Sequence, residues 1–484
     1  MRNWSIKIGI KQLIECVFLL IVIGIMWAFG ADVWMILSVM MLMFLAFMCL
    51  RNINANAFFF FFLISFFIYL MSGDIAELLF DKKYYIQFGR EAVVHTHICL
   101  FVSLLSIWVG YIFTSSKKNP LRIETIGESN MTPAMVEKVK SASKFIYCIA
   151  YIILLINTVD TVRFVAANGF VAYYTSFDPI LPSIIIEIGE FAPIALCVFL
   201  ATFPSKKEAS FIIKSYVLYA FLTLFIGSRG GLIYNIIFIL CYCFYRNYTD
   251  KGHTVWISKK IITVLILTIP FLLSFLFLYE YIRTGREVEF ESFGETIVDF
   301  FVNIGASSKV IKYGYEYAEE IPKWRFYSLG ETLNYFKYGT LFNLFDLSSI
   351  PSRHSVEFAT QSHSLDALIS YLSMKNQYLS GHGTGSSFIA ALYADFGYVG
   401  VSIGSVIYGW LFKKLSYLNS KNWLSSSIKL YMFMALLEAP RSSYDGFVAS
   451  IVNVNYVMIM LFIYLFASTL RTKNNGTCRN IERN

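Results

Sequence analysis

Charge is scarce in this chain. Of its 484 residues only 15% are Asp, Glu, Lys or Arg, and proline numbers ten and histidine six. A soluble domain carries about 25% charged residues and about 45–50% apolar ones. Here 57% of the chain is hydrophobic, 18% is aromatic and the mean hydropathy is +0.59, which marks a protein that crosses a membrane many times. No GxxxxGK[ST] loop is present, so ATP does not drive the protein directly. No DxD pair opens a loop, which disfavours metal-dependent sugar-phosphate chemistry, and no GxSxG elbow exists for a serine hydrolase. The N-terminal apolar run is too long for a signal-peptide core and lacks a small-residue cleavage site, so no cleavable signal peptide is expected.

Cysteine is used without pattern. Cys16, Cys49, Cys99, Cys148, Cys197, Cys241 and Cys243 lie in or beside apolar runs, and Cys478 is in the tail. None falls in the long polar segment, so no disulfide staples it, and no Cys/His spacing suggests zinc. The excess of 40 basic over 32 acidic residues is +8, but most of it sits in short connections rather than on a face for nucleic acid. No internal repeat is visible, which weighs against an inverted-repeat transporter.

What remains is apolar. Runs of spanning character lie at 13–30, 33–50, 57–72, 92–114, 145–167, 183–203, 209–226, 231–245, 260–281, 386–412, 428–439 and 447–469, twelve in all, the eleventh short. They predict an all-α polytopic membrane protein, 1–484 forming one domain. Every second connection is basic, from the N-terminus through Arg51, Lys117, Lys118, Arg122, Lys206, Lys207, Arg246, Lys413 and Lys414 to Arg471. The positive-inside rule then puts both termini in the cytoplasm. The polar segment 282–385, between the ninth and tenth runs, falls on the other side as a large extracytoplasmic loop. Within it Ile297, Phe300, Phe301, Ile304 and Ile311 recur at helical steps, as do Leu365, Leu368, Ile369 and Leu372.

The candidate chemistry gathers on that same side. Arg229 stands in IGSRGGLI, a hairpin too tight to leave the membrane surface, where glycines let a backbone approach an anion closely. Arg283 and Arg286 follow the ninth run in YIRTGRE, and Arg441 lies in EAPRSSYDG after the eleventh. Arginine is the residue for bidentate phosphate contacts, so four of them on one face point to an anionic, lipid-linked substrate. His354, His363 and His382 lie in the loop, and imidazole is a base near neutral pH. Ser364, His363 and Asp366 are neighbours on one helix and cannot form a catalytic triad. The stretch GHGTGSSFIAALYADFGYVG uses Gly381, Gly383 and Gly385 for a tight re-entry turn and Ser386 near the helix start. It then sets Tyr393 and the ionisable Asp395 inside an apolar helix.

GSRGG after one span, YxRTG after a later one, a large outer loop and GxGxxSxxxxLYxDFGxxG opening the next span together resemble the Wzy-type O-antigen polysaccharide polymerases. The topology matches along the whole chain, and the residues match at 226–233, 280–286 and 381–400. The acid that related polymerases often carry before the Leu-Tyr pair is Ala391 here, which moves that role to Asp395. The resemblance implies a GT-C-like polymerase/ligase architecture and an undecaprenyl-pyrophosphate-dependent glycosyltransferase without metal or other cofactor. Arg229, Arg283, Arg286 and Arg441 would hold the leaving pyrophosphate, and His363, with His382 or Asp395 in reserve, would deprotonate the acceptor hydroxyl. Tyr313, Tyr315, Tyr317, Trp324, Tyr327, Tyr335 and Tyr338 could stack on sugar faces. A flippase and a chain-length regulator would be its partners. The rival readings are an O-antigen ligase, which differs in its acceptor, and a lipid-linked oligosaccharide flippase, which has no use for so long a loop.

Overall fold

A computed structural model describes residues 10–80, 88–115, 132–169, 172–173, 176–227, 229–250, 253–284, 292–339 and 351–470. Arg286, the basic residues Lys117, Lys118 and Arg122, and the tail with Cys478 lie outside the described residues. The described residues form helices and connections, with no strand among them. The order begins α1 (Ile10–Ala28), α2 (Val33–Leu50), α3 (Ala57–Phe80), α4 (Arg90–Ser115) and α5 (Pro133–Asn168). It continues with α6 (Ser183–Ala201), α7 (Lys206–Ile226), α8 (Arg229–Thr249) and α9 (Lys259–Thr284).

Each of the twelve apolar runs overlaps a helix. Eight helices are long and apolar enough to cross a membrane, and nine if a pair bent by 50° near the C-terminus counts as one span. α1 contributes a shorter apolar stretch, Ile14–Ala28. α8 falls short on composition, because it carries Asn235, Arg246 and Asn247 among its tyrosines.

Local signals start these helices. Asp32 caps α2 by accepting the backbone N–H of Trp34 at 2.9 Å and Met35 at 3.0 Å. Thr132 and Pro133 open α5, and Ser205 with Glu208 forms a capping box on α7. The run AFFFFFLISF in α3 is apolar all round because the helix is central, with Phe59, Phe62 and Phe66 fully buried. α9 is the opposite case: only 17% of its spanning window is buried, so its apolar surface faces lipid.

The long segment folds into five helices: α10 (Phe293–Ile304), α11 (Ser308–Glu316), α12 (Gly330–Tyr338), α13 (Val356–Gln361) and α14 (Leu365–Leu379). The chain then re-enters the bundle through α15 (Phe388–Leu415), α16 (Trp423–Glu438) and the bent pair α17 (Gly446–Val452) and α18 (Val454–Thr469). α4 and α15 pack backbone to backbone. A Cβ on Gly110 would lie 2.0 Å from the Val406 carbonyl oxygen, and one on Gly409 would lie 2.0 Å from that of Ile107. Ser103 and Ser405 hydrogen-bond across the same contact at 2.9 Å.

Candidate functional site

The site lies where the long segment meets the ends of α3, α8, α15 and α16. Gly227 ends α7 with φ +101° and turns the chain so that Arg229 opens α8. A Cβ on Gly230 would lie 3.9 Å from the hydroxyl of Tyr69, which is fully buried. Tyr69 sits in a π-helical turn of α3, Phe67–Met71, the kind of local widening that re-aims side chains at functional sites. Its ring is 5.2 Å from that of Tyr234. The guanidinium of Arg441 lies over the same ring, 5.9 Å from its centre. A Cβ on Gly385 would be 4.0 Å from Arg441 Nε. Arg229, Arg441 and the glycine-rich turn, far apart in sequence, thus meet around one tyrosine.

The glycines of that turn have conformational work to do. Gly381 (φ +100°) and Gly385 (φ +77°) occupy the left-handed region. Between them the turn is tied to α14, because Thr384 donates its backbone N–H to Ser370 Oγ at 2.9 Å. Gly383 approaches that same hydroxyl, to which an added Cβ would come within 3.4 Å. His382 is exposed, with Nδ1 3.4 Å from Ser380 Oγ. Ser386 is half-buried, and the buried Ser387 directly precedes α15 without capping it through its side chain. Tyr393, further along α15, packs against His95 of α4 with ring centres 4.3 Å apart.

Asp395 is a clamp. Both its oxygens are engaged, Oδ1 by the backbone N–H of Tyr327 at 2.9 Å and Oδ2 by that of Ser328 at 2.7 Å. Asp445 does the same one turn on, accepting from Glu331 at 3.2 Å and Thr332 at 2.7 Å. Two carboxylates from the bundle therefore hold the start of α12 in place. His363 adjoins that start so closely that a Cβ on Gly330 would lie 2.2 Å from its carbonyl oxygen. Its backbone N–H is donated to Asn334 Oδ1 at 2.9 Å. Burial, then the Lys337 and Arg325 charges, lower the imidazole's pKa. Arg283 lies in the last turn of α9.

Most of the aromatic residues of the segment pack inward. Tyr315 stacks on His95 at 4.6 Å, Tyr313 meets Phe88 at 4.8 Å, and the Tyr335 hydroxyl accepts the Val454 N–H at 2.8 Å. Trp324 is presented to solvent, 71% exposed, with the Arg325 guanidinium over its ring.

One buried network was missed by the sequence reading. Asp74 of α3 receives Lys312 Nζ at 2.8 Å and the Ser308 hydroxyl at 3.1 Å, both from α11. His97 lies behind it, with Nε2 3.5 Å from Asp74 Oδ2 and Nδ1 2.5 Å from Asp32 Oδ2. The available signal was VHTHICL, which sets His95 and His97 inside an apolar run. Among the described residues no three or more His, Cys, Asp or Glu side chains are grouped to hold a metal ion.

A family model for the O-antigen polysaccharide polymerase Wzy matches residues 12–474, nearly the whole chain. The chain belongs to that family. No curated protein and no solved structure matches it. The Wzy match spans the bundle and the segment between α9 and α15, so the arginine corner, the glycine-rich turn and both clamps lie inside it. A Wzy polymerase builds surface polysaccharide from lipid-linked oligosaccharide, which suits a multi-pass membrane protein.

Proposed function

We propose that the protein transfers the growing glycan from undecaprenyl pyrophosphate to an incoming lipid-linked repeat unit at the outer face of the bacterial inner membrane. The observation that carries this reading is the meeting of Arg229, Arg441 and Gly385 around Tyr69. When the bond between the donor sugar's anomeric carbon and the phosphate oxygen breaks, the pyrophosphate takes up the negative charge. Two guanidiniums held beside the buried Tyr69 neutralise that charge without a metal ion. Arg283 and Arg286 are, by their residue type and place in the sequence, the further candidates for the second phosphate. His363, beside α12, and His382, at the exposed turn, serve the acceptor side as hydrogen-bonding groups. The positive-inside pattern supports cytoplasmic termini and a periplasmic segment 282–385. A flippase supplying the repeat units and a chain-length regulator are the partners this chemistry calls for.

Arg441→Lys and Arg229→Lys test the reading. Lysine keeps the charge and loses the bidentate fork, and removal of one such donor costs roughly 10²–10³ in rate. The expected result is loss of the surface-glycan ladder, with single lipid-linked units accumulating and the protein still present in the membrane. An unchanged ladder in both variants overturns it.

A further inference from the structure

The polymerisation reading leaves one group at the arginine corner without a role. Glu438 closes α16, and the 3₁₀ turn Ala439–Arg441 follows at once. Residues three apart eclipse one another in such a turn, so Glu438 and Arg441 share a face. The turn is fixed against α3, because Ser65 donates its hydroxyl to the Leu437 carbonyl at 2.5 Å. Tyr69 lies one helical turn beyond Ser65 on the same side of α3. Glu438 therefore stands beside the pocket that Arg229, Arg441 and Tyr69 form, and it feels the charges of Arg441 and of Glu331 across the gap.

Two further observations say that this pocket receives a ligand. Glu438, Arg441 and Glu331 are all exposed, whereas Tyr69 at the floor is fully buried. The buried Tyr69 hydroxyl faces that of Tyr234 and meets no other hydrogen-bonding group among the described residues. Two buried hydroxyls with little but each other to bond, beneath the exposed charges of Glu438, Arg441 and Glu331, are a costly arrangement for a resting protein and a useful one for a bound phosphate or sugar.

We propose that Glu438 is the general base of the transfer, an assignment that rests on the polymerase reading above. The acceptor O–H bond breaks and its proton passes to the Glu438 carboxylate. The acceptor oxygen bonds to the donor's anomeric carbon as the bond from that carbon to the phosphate oxygen breaks. The departing electron pair stays on the pyrophosphate, beside Arg229 and Arg441, and Glu438 later returns its proton to water. The other acids near the site are committed elsewhere. Asp395 and Asp445 each receive two backbone N–H groups, and Glu331 Oε1 accepts the Ser442 hydroxyl at 3.3 Å. His363 adjoins α12 and lies among cations, which weakens it as a base.

The test uses full-length protein in membrane vesicles with purified lipid-linked repeat units. Glu438→Gln preserves shape, and its polymer-forming rate falls about 100-fold or more, the usual contribution of a positioned base. Its retention of lipid-linked substrate is unchanged, and added formate restores turnover to Glu438→Ala. Glu438→Asp keeps partial activity, with the acid limb of its pH–rate profile displaced. Wild-type rates in Glu438→Gln overturn the assignment, and so does loss of substrate retention without formate rescue. If Glu438→Gln is active while Arg441→Lys is inactive, only the base is wrong. If both are active, the polymerase reading of this pocket falls with it.

Discussion

Lys312 of α11 and Asp74 of α3 form a 2.8 Å ion pair while only 3% and 8% exposed. The pair joins the long segment to the bundle, and neighbouring contacts reinforce it. A Cβ on Gly305 would lie 2.3 Å from the backbone nitrogen of Gly73, and the Ser72 hydroxyl donates to the Phe301 carbonyl at 3.2 Å. The first part of the segment is thus seated directly on the end of α3. His97 bridges Asp74 to Asp32, so the pair belongs to a connected network of buried polar groups.

Removing one partner of that pair should release the segment. Lys312→Met leaves the Asp74 carboxylate buried without its cation, a loss of about 3–5 kcal/mol. Protease nicking between α10 and α12 should accelerate and the thermal midpoint in detergent should fall. The double variant Asp74→Asn with Lys312→Met, which leaves neither charge unpaired, should recover part of both. Recovery measures the pair itself, since neither new side chain fits the original shape better.

The glycine-rich turn should tolerate very little. Gly385 has φ +77°, and any residue with a Cβ is strained there by about 1–2 kcal/mol. The new methyl group of Gly385→Ala would also reach van der Waals contact with Arg441 Nε at 4.0 Å. Polymer yield should fall at least tenfold while membrane abundance stays near normal. Gly383→Ala, at a position without positive φ, should be markedly milder in the same glycan-profile assay.

Lys309 gives a pH test. Burial and the neighbouring Lys312 push its pKa down to about 8. Below that value the folded protein carries a charge it disfavours. Between about 8 and the ordinary lysine value near 10.4, the unfolded chain binds a proton that the folded one has lost, so stability rises with pH. Lys309→Met should therefore melt higher than the unaltered protein at pH 7, with the gap closing by pH 10. A Lys309→Met protein that melts lower than the unaltered one at pH 7 would mean that the ammonium is favourably paired.

The sequence made the helices legible because a run of apolar residues is a local property. It also picked out Arg229, Arg441 and Gly385 through the chemistry of their types, without showing that they share a pocket. Asp395 was read as an ionisable group with a possible part in the chemistry. Its geometry is that of a clamp, since its partners Tyr327 and Ser328 offer backbone N–H groups, which no sequence pattern displays. Asp74 and Lys312 are separated by 238 positions, and their pairing depends wholly on how α11 docks. Glu438 stands three residues before Arg441 in EAPRSSYDG, and nothing local to that stretch distinguishes it from any other acid at a helix end.

The bare-backbone contact of α4 with α15 has a consequence for divergence. Lipid-facing positions of α9 accept nearly any apolar replacement, so drift there erases similarity quickly. At Gly110 and Gly409 even a single methyl would collide with a carbonyl oxygen of the facing helix. A chain that keeps this crossing must keep two bare positions there, whatever becomes of its extramembrane segments.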